Sequence, residues 1–214
     1  MKDLVLLAGW GFDSRVWRPV AERLEDDFRI AYDLDAASAD TIACGWSLGA
    51  LRAQKSALVG RQILVGATRR FVQAPDWPCA QPPQLLDSFV DAVAADPAAA
   101  LRRFAALVNQ GDERARDLTR FLTTLLRERI PDAATLAAGL AELRDTDLQE
   151  SAPVVRRATL LVHGERDALM PLDAARWLAA HIPAARLEIF AGAGHAPFLS
   201  QPDRFAALVR EFAA

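Results

Sequence analysis

Ile42-Ala43-Cys44-Gly45-Trp46-Ser47-Leu48-Gly49-Ala50 is the densest local signal in the chain. An apolar run of strand character, Ile42 to Cys44, enters the pattern Gly-x-Ser-x-Gly, and a helix-forming stretch from Ala50 to Leu58 follows at once. So sharp a turn from strand to helix strains the serine, and the crowding on either side admits only glycine. The turn lifts the Ser47 hydroxyl above the sheet edge and directs backbone N–H groups into the same space. A bare match to this pattern also occurs by chance in ordinary strand-to-helix turns. The remainder of the chain therefore decides whether Ser47 is a nucleophile.

Outward from the elbow, strand-like runs alternate with helical ones. Leu4–Ala8, Phe28–Tyr32, the elbow strand, Ile63–Ala67, Thr159–His163 and Leu187–Phe190 read as six strands. The first has no polar alternation, as expected for a strand buried on both faces of a parallel sheet. Helices are expected at Val16–Leu24, Pro171–His181 and Pro202–Phe212, giving an α/β fold with a mainly parallel sheet. Residues 71–150 break the rhythm. After a proline-rich loop (Phe71–Pro83), four helices are expected at Leu85–Ala94, Ala98–Asn109, Glu113–Arg127 and Ala133–Leu143. Asp96-Pro97, Gly111-Asp112 and Pro131-Asp132 supply their start signals. The expected organisation is a core of residues 1–70 and 151–214 with a four-helix cap, 71–150, inserted after the fourth strand.

One connection is too short for the ordinary plan. Seven residues, Leu34 to Asp40, separate the second and third strands. Fully extended they reach about 23–25 Å, and the return path needs about 20 Å. A helix does not fit there, so that edge of the sheet should be thinly covered.

A serine hydroxyl needs a general base of near-neutral pKa and a group that orients the base. Of the three histidines, His163 ends a strand and His181 closes a helix, both positions with ordinary structural explanations. His195 follows the last strand in Ala191-Gly192-Ala193-Gly194-His195, a glycine-rich loop suited to carrying a base across the top of the sheet. The acid comes from Glu165, Asp167 or Asp173; Asp173 is explained by the helix dipole alone, and Asp167 at the loop tip is best placed to meet His195. Nucleophile, acid, histidine is the chain order of the α/β-hydrolases. An oxyanion hole would take the backbone N–H groups of Leu48 and of Trp10, in the Gly9-Trp10-Gly11 loop. The Trp10 ring can line the pocket at the same time.

The 214-residue composition is that of a globular protein with a core: 52% hydrophobic, 25% charged, net charge −3. It offers no general reason to expect nucleic acid or an anionic membrane as partner. No run is long enough to span a membrane and no signal peptide is evident, so a cytoplasmic location is expected. Two cysteines make no disulfide framework, and three histidines without paired cysteines make a metal site unexpected. The chemistry calls for no cofactor, and a monomer is expected.

Gly9-Trp10-Gly11, Gly45-Trp46-Ser47-Leu48-Gly49, Asp167-Ala168-Leu169-Met170-Pro171 and His195-Ala196-Pro197-Phe198-Leu199-Ser200-Gln201-Pro202 together resemble the pimeloyl-[acyl-carrier protein] methyl ester esterases of biotin synthesis. Asp76-Trp77-Pro78 and the stretch Leu140–Leu148 extend the resemblance over most of the chain. It implies an α/β-hydrolase fold and hydrolysis of the methyl ester that disguises a pimeloyl chain on acyl carrier protein. Ser47 would be the nucleophile, His195 the base, Asp167 the acid, and Trp10 and Leu48 the oxyanion donors, with Trp10, Ser47, Leu48 and His195 touching substrate. It further implies an acyl channel along Phe104, Ala105, Ala106, Leu107 and Val108, and carrier-protein contacts at Arg103, Arg116 and Arg120. Ala99 stands where the family carries a further arginine, and Ala8 where many members have histidine. The family's N-terminal hairpin and the helix between its second and third strands are missing. A lipase-like or lactone-cleaving hydrolase of broad specificity, acyl transfer to an acceptor other than water, and a silent binding scaffold are the competing readings.

Overall fold

A computed structural model describes every residue of the chain except Ala36 and Ala184. Six parallel strands form one sheet: β1 (Lys2–Leu7), β2 (Phe28–Ala31), β3 (Ile42–Trp46), β4 (Arg61–Val65), β5 (Ala158–Gly164) and β6 (Ala185–Phe190), in the order β2-β1-β3-β4-β5-β6. Side chains alternate between two buried layers. Leu4, Leu6, Cys44, Ile63, Val65, Leu160 and Val162 face one core; Val5, Leu7, Ala43, Leu64 and Leu161 face the other. A strand with both faces buried must be apolar throughout, which is why β1 and β3 carry unbroken apolar runs.

The first layer is closed by a 3-10 turn (Ser14–Trp17) leading into α1 (Arg18–Leu24), by the short α8 (Pro197–Ser200) and by α9 (Pro202–Ala213). Trp17 stacks on Phe198 with ring centroids 4.1 Å apart, joining the start of the chain to its end. The second layer is closed by α2 (Leu48–Lys55) and α7 (Leu172–His181), through Ala50, Ala53 and Leu178.

The connection from β2 to β3 crosses β1 and contains no helix among its described residues. Leu34 and Ala37 pack, half-buried, on the second layer in place of one. The short crossover thus runs as the chain length requires.

Four helices lie between β4 and β5: α3 (Pro83–Ala95), α4 (Pro97–Val108), α5 (Ala115–Glu128) and α6 (Ala133–Asp145). Asp96 and Asp132 cap α4 and α6, accepting from the Ala99 and Thr135 N–H groups at 3.0 and 2.7 Å. On α5 Leu118, Leu122, Leu125 and Leu126 are buried, while Arg116, Arg120 and Arg127 are exposed. That spacing makes α5 amphipathic, with arginines on its outer side. The Gly111-Asp112 start signal does not start the helix. Asp112 is buried and bonded elsewhere, and α5 begins three residues later without a side-chain cap.

Arg69 fastens the inserted segment at its base. Buried to 1% exposure, its guanidinium lies 4.5 Å from the Trp77 ring centroid and 5.2 Å from that of Trp177. It pairs with Asp76 at 2.9 Å, and its carbonyl accepts from the Leu148 N–H at 3.0 Å. Entrance and exit of the insertion therefore meet at one residue.

Candidate active site

Ser47 is the one non-glycine residue with positive φ among the described residues, at φ 56° and ψ −117°. Such a backbone costs on the order of 1–3 kcal/mol and persists only when its surroundings over-determine it. Three hydrogen bonds do so: the Ser47 N–H donates to Val65 O at 2.8 Å, and Ser47 O accepts from the Ala50 and Leu51 N–H groups. The flanking glycines are there for close approach. A Cβ on Gly45 would sit 2.2 Å from the Gly49 carbonyl oxygen, and one on Gly49 2.4 Å from that of Leu7. Leu48 is the first residue of α2, so its N–H has no acceptor within the helix and points toward the serine turn.

His195 and Asp167 are brought together as expected. His195 Nδ1 lies 2.7 Å from Asp167 Oδ2, and the same carboxylate accepts from the Leu169 and Met170 N–H groups through Oδ1 at 2.9 and 2.8 Å. Burial opposes the charge on Asp167. The His195 imidazole it bonds, His163 and the Met170 N–H outweigh that cost and hold its pKa below the ordinary aspartate value. With Nδ1 directed at a carboxylate, the proton belongs there, which leaves the Nε2 lone pair as the base. His195 Nε2 is buried and has no protein partner among the described residues.

Several supporting residues escaped sequence reasoning. The His195 ring rests on Gly66, whose φ is 56° and where a Cβ would meet His195 Cε1 at 2.8 Å. Trp46 donates its indole N–H to the His195 carbonyl at 2.9 Å and lays its ring over Gly9, where a Cβ would come within 3.0 Å. His163 is also part of the site. Its Nε2 faces Met170 O at 2.9 Å and lies 3.5 Å from Asp167 Oδ2. Burial pushes its pKa below the usual value and His195 adds to that, while Asp167 and Met170 O offset only part. Glu165 accepts from the Gly192 N–H at 3.0 Å, and Asp173 pairs with Arg176 on the surface; neither reaches His195. Burial raises the thiol pKa of Cys44, in the strand before the elbow, so that it stays protonated.

The inserted helices press directly on this site. Trp10 is buried, donates its indole N–H to Leu136 O on α6 at 2.9 Å, and packs edge-on against Phe89 and Phe104 at 5.6 and 4.8 Å. At Gly139 on α6, a Cβ would lie 2.7 Å from Trp10 Cδ1 and 3.3 Å from Leu48 Cδ2. Ser47 is 9% exposed and His195 0%, so the turn and the imidazole are covered. Of the α4 stretch, Phe104, Ala105 and Val108 are buried and Leu107 half-buried. Ala106 is exposed on the opposite side of the helix and does not face the covered site. Five consecutive helical residues span more than one face, so they cannot all line one channel.

The arginines expected to meet a carrier protein are all exposed. Arg116 and Arg120 stand one turn apart on α5, with Arg120 paired to Asp117 at 3.3 Å. Arg103 on α4 leans toward α3, its guanidinium 4.9 Å from the Phe89 ring centroid. Among the described residues no group of His, Cys, Asp and Glu side chains is placed to hold a metal, and no helix is long and apolar enough to cross a membrane.

A strained serine turn, a buried histidine–aspartate pair and an open-ended sheet with four helices between β4 and β5 define a class, and comparison with known proteins agrees. Residues 7–208 match the model of the alpha/beta hydrolase family, to which the chain belongs. An esterase from Exiguobacterium antarcticum superposes with a TM-score of 0.86 at 20% identity, covering 100% of this chain and 92% of that one. A bromoperoxidase from Bacillus anthracis gives 0.84 at 15% identity, covering 99% and 92%. Within that class the chain falls in the family of the pimeloyl-[acyl-carrier protein] methyl ester esterases. It is 39% identical to the one from Aromatoleum aromaticum, over 98% of this chain and 97% of the relative, and 37% identical to the one from Nitrosomonas europaea, over 95% and 92%.

Proposed function

We propose that the chain is a serine esterase that hydrolyses the methyl ester of pimeloyl-[acyl-carrier protein] methyl ester in biotin synthesis, acting in the cytoplasm. The observation that carries the chemistry is the 2.7 Å pair of His195 Nδ1 and Asp167 Oδ2 beside the strained Ser47 turn. The substrate is supported by the two relatives of that name.

Ser47 Oγ attacks the ester carbonyl while His195 Nε2 takes its proton, and Asp167 stabilises the imidazolium through Nδ1–H. The N–H groups of Trp10 and Leu48 receive the developing oxyanion. Collapse of the tetrahedral intermediate breaks the acyl–O bond, and methanol leaves with the proton from Nε2. A water then gives its proton to Nε2, attacks the acyl-serine and releases the free carboxylate and Ser47.

Residues 71–150 act as a cap in this reading. The buried apolar residues Trp10, Phe89, Phe104, Ala105 and Val108, which pack in one cluster, suit the methylenes of a pimeloyl chain, whose burial contributes about 0.8 kcal/mol per CH₂. Because Ser47 and His195 are covered, the cap moves for the acyl chain to enter. Exposed Arg103, Arg116 and Arg120 on the same cap meet the acidic carrier and steer association.

The reading is tested by treating the folded protein with a serine-reactive phosphonate and locating the adduct by peptide mass spectrometry. A stoichiometric adduct on Ser47, absent in His195→Ala, is the expected result. An unmodified Ser47 in folded protein would refute it.

A further inference from the structure

The turn between α4 and α5, residues 109–114, is wedged between the loop that carries Asp167 and the loop that carries His195. Gly111, at φ 86°, lets the turn lie against the Arg166 backbone, where a Cβ would come within 3.0 Å of the Arg166 oxygen. On the other side the turn grips the histidine loop at three successive points. The His195 N–H donates to Val108 O at 3.0 Å, the Gly194 N–H to Asp112 Oδ2 at 2.8 Å, and Gly192 O accepts from the Glu113 N–H at 3.0 Å.

Asp112 is the centre of that grip. It is 7% exposed and takes no part in the reaction above. Its Oδ1 accepts from the Arg114 N–H at 2.7 Å and the Ser200 hydroxyl at 3.1 Å, while Oδ2 holds Gly194. Arg114 closes the ring by donating to Ser200 O at 2.9 Å. Every near partner of this buried carboxylate is therefore a donor, and two of them, Gly194 and Ser200, flank His195 in the chain. A buried acceptor set with several directed donors fixes geometry, since each lost partner leaves a polar group unsatisfied.

We propose that Asp112 is a positioning residue for the base: through its bond to the Gly194 N–H it holds His195 against Asp167, so that the acid–base pair is aligned only while the inserted helices are docked. This rests on the proposed roles of Ser47, His195 and Asp167. The sequence position fits the purpose, because Asp112 is spent on the histidine loop at the cost of capping α5.

The test compares Asp112→Ala, Asp112→Asn and Ser200→Ala in the full chain, with a small methyl ester as substrate. Asp112→Ala removes the acceptor for Gly194. Asp112→Asn keeps a carbonyl for Gly194 but sets its amide against the Arg114 N–H, a donor that met an oxygen at 2.7 Å, so the grip is weakened rather than kept. Ser200→Ala leaves the Gly194 bond intact. Misplacing a catalytic group by about 1 Å costs on the order of 10²-fold, so kcat per folded molecule in Asp112→Ala should fall ~10- to 100-fold with KM within about twofold. The low-field proton NMR signal of His195 Nδ1–H should broaden or vanish with it. Ser200→Ala should keep most of both, and Asp112→Asn should fall between it and Asp112→Ala. A cooperatively folding Asp112→Ala with wild-type kcat and an unchanged signal would overturn the proposal, as would a loss shared equally by Ser200→Ala. Should Asp112→Ala not fold, Asp112→Asn and Ser200→Ala still decide: a lower kcat and a broader signal in Asp112→Asn than in Ser200→Ala is the proposed result, and the same kcat and signal in the two contradicts it. An inactive wild type without a Ser47 adduct would instead refute the esterase reading itself.

Discussion

The indole N–H of Trp46 donates to the carbonyl oxygen of His195 at 2.9 Å, so the residue before Ser47 holds the backbone of His195. Both groups are fully buried, and the ring also sits on Gly9 of the loop that carries Trp10. One side chain thus ties together three of the loops that meet at the site. Trp46→Phe keeps an aromatic ring and removes the donor, leaving a buried carbonyl unsatisfied. That costs about 1–3 kcal/mol. Urea unfolding should show a loss of this size, and ester hydrolysis should show a lower kcat with KM little changed. An unchanged unfolding midpoint would mean the bond does not hold the loop.

Gly139 sets how closely α6 approaches Trp10 and Leu48. Alanine there improves helix propensity by about 1 kcal/mol, but its Cβ would stand 2.7 Å from a Trp10 ring fixed by Leu136 and two phenylalanines. Overpacking of a well-filled core costs about 1–3 kcal/mol, so the clash outweighs the propensity. Gly139→Ala should melt at lower temperature and lose kcat/KM on a long-chain methyl ester. A higher melting temperature with unchanged kcat/KM would show that α6 yields freely at this point.

Two buried groups beside one another give separate acid limbs. The folded-state pKa of His163 lies below its unfolded value, chiefly through burial, so the unfolded chain binds the extra proton first. The stability this neutral imidazole contributes is present above the unfolded value of about 6.5 and is lost as pH falls from there toward the folded value. Asp167 is also depressed, despite its burial, because His195 and its other partners favour the carboxylate, and its contribution is lost only below about 3.9. Unfolding midpoints measured from pH 8 to pH 5 should therefore decline in the wild type and stay flatter in His163→Gln. Parallel declines in the two proteins would assign the slope to other groups.

Arg116 and Arg120 lie on the solvent side of α5, away from Ser47. Reversing both to glutamate should lower kcat/KM on a carrier-bound methyl ester roughly 10-fold or more at low salt, through slower association. Turnover of a small methyl ester should not change. Equal effects on the two substrates would remove these arginines from carrier recognition.

The parallel sheet, the four inserted helices and the helix-free crossover were legible because each rests on local pattern and chain length. The Ser47 turn was legible because its glycine pattern is local, although only Gly45 is forced by a nearby backbone group, that of Gly49; Gly49 itself is forced by the Leu7 carbonyl on the neighbouring strand. Asp167 and His195 could be chosen by chain order and loop position. What the sequence did not disclose depends on contacts between distant segments. Asp112 carries the local signature of a helix cap, and only the fold brings Gly194 and Ser200 to its carboxylate. Gly66 falls inside the run Ile63–Ala67 that reads as a strand, and only the fold lays the His195 ring on it. His163 reads as a structural strand end, although it shares Asp167 with His195. Ala106 falls inside an apolar run, yet the helical period turns it outward.

Methanol release from methyl-pimeloyl carrier protein, measured for the wild type and Ser47→Ala, tests the central claim most directly. Wild-type turnover that prefers the carrier-bound ester to a small methyl ester, and a fall in kcat of roughly 10⁴- to 10⁶-fold in Ser47→Ala, is the result expected. Hydrolysis that survives in Ser47→Ala, or a folded wild type that leaves the carrier-bound ester intact, would contradict it.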